Sequence, residues 1–446
     1  MTGNDQHEPG RPPPDGGVRR CATAAAWLMA SATALILVGG LGPAPERSVP
    51  GGAALALIAD EEPLEDSSTE ADAATDDATG GAATMTVEGT RVPDPLALDN
   101  GDTVESVQAW ERQRRPELLD AFQTHVYGQS LPEPADIAFD EQTLGDGGKK
   151  VAIEVTGPEG SASFTLRLFV PASSEPKGTF LLIDHRGSVG DDPNSSSDYA
   201  PVTTILDQGY AFAALDAEEV APDDAASYRS GVLDAFYPSG QELPEDAGRA
   251  ISAWAWGASR AMDYLQDDPD IDPSKVAVIG HSRGGKAALW AGAQDTRFPV
   301  VLSNNSGSTG AKLARRDEAG ESIAAITAQF PHWFPPTYQD YADSPDSLPV
   351  DQHELLALIA PGRVVVGSAT EDGNADPQGE FLSYLAAEPV YDLYGLGDTG
   401  LSSQSWPPTT DKGFRGPAMS YHLRGGEHGL TSADWAIYLQ GELFLR

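Results

Sequence analysis

The feature that most constrains this chain is a series of short, mostly apolar runs between residues 179 and 424. They are TFLLIDH (179–185), YAFAALD (210–216), KVAVIGH (275–281), PVVLSNN (299–305), RVVVGSA (363–369) and AMSYHLR (418–424). A strand that is apolar along its whole length cannot leave one face in water, so a sheet of such strands must be covered on both sides. The covering elements stand between the runs: AISAWAWGASRAMDYLQDD, GGKAALWAGAQ, GEFLSYLAAE and SADWAIYLQGELF carry apolar residues at helical spacing. Strands alternating with helices predict an α/β architecture, a mostly parallel sheet with helices on both faces. Two earlier β-rich runs, VAIEVTG (151–157) and ASFTLRLFVP (162–171), are joined by a Gly-containing turn and predict an antiparallel N-terminal hairpin. A helix over SVQAWERQRRPELLDAFQTHVYG, with Trp110, Leu118, Leu119 and Phe122 at helical spacing, precedes them.

The remainder of the 446 residues reads differently. Arg19 and Arg20 precede a mostly apolar run from Ala22 to about Leu41, the charge-then-apolar order of an export signal. Residues 1–45 are therefore expected to be a signal peptide or an N-terminal membrane anchor, since the run approaches the length that spans a bilayer. Residues 46–90 include an acidic, Ala/Thr/Gly-rich stretch without lysine or aromatics from 59 to about 85, expected to be a disordered linker. The catalytic domain is expected over 91–446, in a protein that is secreted or periplasmic and monomeric.

Charge narrows the partners. Asp and Glu number 68 against 28 Lys and Arg, a formal charge of -40, and such a surface repels nucleic acid. The single cysteine, Cys21, lies in the targeting stretch, and there is no H-x-x-x-H pair. Neither a metal site nor a cofactor is expected.

Chemistry concentrates at Gly280-His281-Ser282-Arg283-Gly284, set directly between the strand KVAVIG and a helix. A G-x-S-x-G in that context forms the nucleophile elbow of the α/β-hydrolase fold, with Ser282 in a strained turn. Serine needs a base within hydrogen-bond reach. In this fold the acid and then the histidine follow the serine, and His428 stands in Gly425-Gly426-Glu427-His428-Gly429, a turn between the last strand and the last helix. The acid should follow the penultimate strand, where Glu371, Asp372 and Asp376 share one loop; Asp372, beside the Gly373-Asn374 turn, is the choice. The oxyanion hole should use the backbone N–H of Arg283 and one from His185-Arg186-Gly187-Ser188, which places His185 and Arg186 against the substrate. Trp254, Trp256, Trp290, Trp333 and Trp435 can be core aromatics or sugar platforms.

These residues resemble the glucuronoyl esterase family, carbohydrate esterase family fifteen, especially its bacterial branch. Ser282-Arg283-Gly284-Gly285-Lys286 is similar to the family's elbow, and Asn304-Asn305-Ser306-Gly307, Arg315-Arg316, Gly320-Glu321 and Phe330-Pro331-His332-Trp333-Phe334 to its next segment. Glu371-Asp372, Ala375-Asp376-Pro377, Gly379-Glu380-Phe381 and His428 with Asp434-Trp435 match later blocks, and Arg114-Arg115-Pro116-Glu117 with Tyr127-Gly128 an early one. The resemblance implies a serine esterase whose Arg283 guanidinium lies near the oxyanion. It also implies that Lys286 and Glu321 hold hydroxyls of a 4-O-methylglucuronate ester linking xylan to lignin, with Trp333 beside them. The chain departs from a pattern within the family in carrying Asn305 where some members have Glu, which places the acid function on Asp372, and Asn374 where many have a sugar-contacting Trp. An acetyl-xylan-type deacetylase, with the sugar on the alcohol side of the ester, is the alternative enzyme. A catalytically silent carbohydrate-binding or envelope protein on the same scaffold is the alternative of another class.

Overall fold

The computed structural model describes residues 19–20 and 83–444, apart from 173–174, 318, 402–403 and 441–442. The expected signal or anchor over 1–45, Arg19 and Arg20 excepted, and the expected linker up to residue 82 lie outside the described residues.

Thirteen strands are described. In chain order they are β1 (Arg19–Arg20), β2 (Thr84–Val87), β3 (Thr90–Pro93), β4 (Asp136–Thr143), β5 (Lys149–Thr156), β6 (Ser161–Phe169), β7 (Thr179–Asp184), β8 (Ala211–Asp216), β9 (Val276–His281), β10 (Val300–Asn304), β11 (Arg363–Ala369), β12 (Lys412–Arg415) and β13 (Met419–Arg424). Eleven form one sheet in the order β1-β4-β5-β6-β8-β7-β9-β10-β11-β13-β12. From β8 to β13 the neighbours run parallel; β4, β5 and β6 pair antiparallel, as do β6 with β8 and β12 with β13. The six apolar runs are the six parallel strands, and the predicted hairpin is β5–β6.

Side-chain alternation splits the core into two layers. Leu181, Ile183, Val276, Val278, Val301, Val364 and Val366 point to one face, packed with Trp254 and Trp290 of the helices Ala250–Asp267 and Arg283–Gln294. Phe180, Leu182, Ala277, Ile279, Leu302 and Val365 point to the other, against Trp435 and Tyr438 of the helix Ser432–Gln440. Both faces are dry, which is why these strands lack polar alternation.

Two elements depart from expectation. The hairpin β2–β3 starts at Thr84, ahead of the boundary expected at 91, because Met85 and Val87 pack on the core and Val92 is fully buried. The first helix is continuous from Val107 to Tyr127 but includes two wider turns, Trp110–Arg114 and Gln123–Tyr127. In the first of these Arg115 N–H reaches back five residues to Trp110 O, next to Pro116, which has no N–H to give.

Chain order reverses where β7 lies between β8 and β9, and crevices at such points open at the carboxyl ends of the strands. Ser282, Asn305, Asp372 and His428 all follow the carboxyl ends of β9, β10, β11 and β13.

Candidate active site

Ser282 occupies the turn between β9 and the helix Arg283–Gln294 at φ 55° and ψ -127°, a conformation side chains rarely adopt. Its N–H donates to Asn304 O at 2.9 Å, tying the turn to the end of β10. The turn needs glycine on both sides: a Cβ on Gly280 would lie 2.0 Å from Gly284 O, and one on Gly284 would lie 2.9 Å from Ile183 O. The serine is thus lifted out of the sheet edge into a cleft of about 370 Å³, whose wall includes Arg283, Lys286, Glu321, Trp333, Asp372 and His428.

The loop after β13 brings His428 to the same cleft, its ring 4.6 Å from that of His281. His428 Nδ1 donates to Asp372 Oδ2 at 2.6 Å, and Asn305 Nδ2 donates to the same oxygen at 2.9 Å. Asp372 is buried while the His428 side chain is 43 % exposed, so the acid sits behind the base and away from water. Burial would raise the Asp372 carboxyl, but the hydrogen bonds from His428 and Asn305 and the charge of His428 outweigh it and hold it below the usual carboxylate range. Of the other acids in that loop, Asp376 is paired with Arg316 at 2.9 Å and Glu371 is exposed.

Lys286 is buried one turn into the nucleophile helix. Its Nζ donates to Ser306 O at 2.6 Å and to Ser308 O, two of an ammonium's three donors. Burial pushes it down to about 8, with the nearby Glu321 and Glu380 acting the other way. Glu321 lines the cleft beside it, fixed through its own N–H to Asn374 O at 2.8 Å.

Arg283 leans on an aromatic pair. Its guanidinium lies 4.6 Å from the Trp333 ring centre and 5.2 Å from that of Phe330, and those two rings stack at 3.7 Å. Trp333, 3 % exposed with one face on Phe330, supports the cleft wall and offers no open sugar platform.

His185 and Arg186 are not among the residues lining the cleft. The loop after β7 is wound around the Asp184 carboxylate, which accepts from Arg186 N at 3.1 Å, Ser188 N at 2.7 Å and Val189 N at 2.9 Å, while His185 N donates to Ile183 O. The amides of His185, Arg186 and Ser188 are thus taken up within the loop, which removes these three as oxyanion donors. The Arg186 guanidinium rests on the Tyr199 ring at 4.4 Å. His185 is driven down to about 3 by burial and by Arg283 and Arg186 nearby, so its imidazole is neutral.

Two further acids, the half-buried Asp223 and the buried Glu380, were given no role by the sequence reading. Asp223 accepts from His332 Nε2 at 2.9 Å, Trp333 Nε1 at 2.6 Å and the Arg283 guanidinium. Burial opposes its charge, yet these three donors hold it well below the usual carboxylate range. Glu380, fully buried, accepts from Gly307 N at 2.9 Å and Ser368 Oγ at 2.6 Å beneath the loop that carries Asn305. A Glu in the apolar setting of Gly379-Glu380-Phe381 was a signal; one Asp in APDDAAS was not.

Comparison with known proteins agrees with this geometry. Residues 153–395, more than half of the chain, match the family model for fungal glucuronyl esterase. A carbohydrate esterase, MZ0003, of an unknown prokaryotic organism is 35 % identical over 386 residues, covering 78 % of this chain and 88 % of its own. A 4-O-methyl-glucuronoyl methylesterase of Schizophyllum commune is 28 % identical over 336 residues, covering 72 % and 79 %. The solved glucuronoyl esterase of Solibacter usitatus superposes with a TM-score of 0.72 at 34 % identity, covering 80 % of this chain and 98 % of that one. Fold, elbow and sequence lead to one assignment: the chain is a serine carboxylic ester hydrolase that belongs to the glucuronyl esterase family.

Proposed function

We propose that this enzyme hydrolyses 4-O-methyl-glucuronoyl esters of plant or algal polysaccharides, including lignin–carbohydrate esters, through an acyl-enzyme on Ser282. The observation that carries the reading is the 2.6 Å bond from His428 Nδ1 to the buried Asp372, in a cleft that also holds Ser282, Lys286 and Glu321. Asp372 fixes the tautomer with Nδ1 protonated, which leaves Nε2 to take the Ser282 proton and then return it to the departing alcohol. Water attacks the resulting acyl ester by the same route in reverse, releasing the uronate. The Arg283 N–H at the start of a twelve-residue helix, together with its guanidinium, faces the charge that develops on the carbonyl oxygen. Lys286 and Glu321 supply the donor and the acceptor for sugar hydroxyls. The charged-then-apolar segment after Arg19 supports export, secreted or periplasmic, with retention as an anchor the membrane-bound form of the same reading. Among the described residues no helix is long and apolar enough to cross a membrane.

The test is steady-state hydrolysis of methyl or benzyl glucuronate beside an acetylated xylo-oligosaccharide. Ser282→Ala and His428→Ala should each lower kcat by several orders of magnitude, with the double variant little worse, because the two act as a unit. Asp372→Asn should be severely impaired. Lys286→Ala and Glu321→Ala should lower kcat/KM for the glucuronate ester roughly 5- to 150-fold while p-nitrophenyl acetate hydrolysis changes little. Wild-type protein active on acetylated xylan and inert on glucuronate esters would make it a deacetylase instead.

A further inference from the structure

The loop that carries His428 is poorly suited to hold a catalytic base. Three of the five residues Gly425-Gly426-Glu427-His428-Gly429 are glycines, Gly426 at φ 104°, and glycine gives the backbone the most freedom to lose. The imidazole is 43 % exposed, so only the bond to Asp372 at 2.6 Å and the packing against His281 restrain the ring itself, and neither fixes the backbone that carries it. Yet its Nε2 must meet the serine within a few tenths of an ångström.

Asp411 Oδ1 accepts from Gly425 N at 2.9 Å and Thr370 Oγ1 from Gly426 N at 3.2 Å at the start of the loop, but one side chain holds carbonyls on both sides of His428. Arg424, the last residue of β13, is 4 % exposed and turns back beneath the loop. Its guanidinium donates to Gly425 O at 3.0 Å, Glu427 O at 2.6 Å and Gly429 O at 2.7 Å, carbonyls on both sides of His428. Its Nε donates to Asp434 Oδ2 at 2.8 Å, so four donor contacts of a planar, five-donor group are placed at once. Asp434, fully buried, also accepts Thr431 N at 2.9 Å and Thr431 Oγ1 at 2.8 Å, which closes the far end of the loop. Its other oxygen takes His422 Nε2 at 2.8 Å and Asn304 Nδ2 at 3.2 Å. Asn304 is the residue whose carbonyl holds the Ser282 N–H, and its side-chain oxygen meets His281 Nδ1 at 2.8 Å. One carboxylate thus joins the nucleophile's turn to the base's loop.

We infer that Arg424 is a positioning residue for the ester hydrolysis, clamping the His428 loop, and that Asp434 registers this clamp against the Ser282 elbow. The inference rests on His428 being the base. Without the clamp, His428 retains its chemistry but samples positions out of reach of Ser282, so the chemical step slows while substrate still binds through Lys286 and Glu321.

The experiment compares the full chain with Arg424→Met, Arg424→Lys, His428→Ala and, as a control, Arg415→Met. Arg415 tethers the same final helix through Ile437 O at 3.0 Å without touching the loop. Active sites are counted and their reactivity timed with a fluorophosphonate probe, and kcat and KM are measured on methyl glucuronate. Arg424→Met should lower kcat per titrated site and the probe's labelling rate together, on the order of 100-fold, with KM nearly unchanged. Arg424→Lys should recover part of both, since an ammonium reaches some of the carbonyls but cannot also replace Nε. Arg415→Met should match wild type. Wild-type kcat per site in Arg424→Met overturns the clamp, as does a loss that appears in KM or only in the number of folded sites. Should Arg424→Met not fold, the same comparison in Arg424→Lys decides. His428→Ala with undiminished labelling would overturn the assignment of the base itself, a result the arginine variants cannot mimic.

Discussion

At the scale of single residues the site is a set of buried and half-buried charges, each made tolerable by a named partner. Asp372 has His428 and Asn305, Asp223 has Arg283, His332 and Trp333, and Lys286 has two carbonyls. Among the described residues Glu380 has no cation in contact and only neutral donors, and burial, reinforced by the Asp372 charge, pushes it up to about 7 despite Ser368, Gly307 and Lys286. An unfolded glutamate ionises near 4.5, so the folded protein binds a proton there that the unfolded chain has released. Stability from this group is therefore complete below pH 4.5 and is lost as pH rises toward 7, by up to on the order of 3 kcal/mol. Glu380→Gln removes the titrating group, so its stability relative to wild type should increase from pH 5 to pH 8 in urea unfolding. A constant difference over that range would show that Glu380 ionises normally. Motif, order and turn context marked Ser282, Asp372 and His428, and the family resemblance marked Lys286. The sequence could not mark Asp223, one carboxylate among 68 acids, whose role exists only once Arg283, His332 and Trp333 converge on it.

Among the elements, the parallel strands were legible because burial on both faces writes itself as unbroken apolar sequence, as in VAVIG of β9. Strands with one wet face or at an edge were not: β4 (DIAFDEQT) and β12 (KGFR) carry charge at exposed positions, and their pairing is set by neighbours far along the chain. The coiling of the loop after β7 was illegible for a related reason, since hydrogen bonding of the Arg186, Ser188 and Val189 amides to Asp184 depends on how the loop turns and not on which residues it contains. The nucleophile elbow was the most legible element and also the most strained. Glycine is ordinarily about 0.5–1 kcal/mol less stabilising than alanine, whereas a non-glycine residue held at positive φ costs about 1–3 kcal/mol. At φ 55° the usual order should reverse: Ser282→Gly should unfold at a higher temperature than Ser282→Ala, with both inactive. The ordinary order, alanine above glycine, would mean the turn holds no such strain.

On the scale of the whole molecule, a formal charge of -40 acts on both stability and substrate encounter. Like charges spread over a compact surface repel one another, and the unfolded chain relieves that repulsion by expanding. Salt shortens the reach of the repulsion, from about 10 Å at 0.1 M to about 3 Å at 1 M. The melting temperature should therefore rise between 0.05 and 0.5 M potassium chloride by more than in sucrose of equal osmolality, concentrations chosen on that scale of roughly 10 Å screening. The same field meets the substrate. A methyl glucuronate ester is uncharged, but a glucuronoxylan fragment that retains unesterified uronates is an anion approaching an anionic protein. Its ester must still reach Arg283 and Lys286, whose attraction operates only within the cleft. Raising the salt should accordingly lower KM for the acidic polymer while leaving KM for the small ester, and kcat for both, nearly constant. If the two substrates respond alike, long-range repulsion plays no part in encounter, and the acidity of this chain bears on its folding and solubility alone.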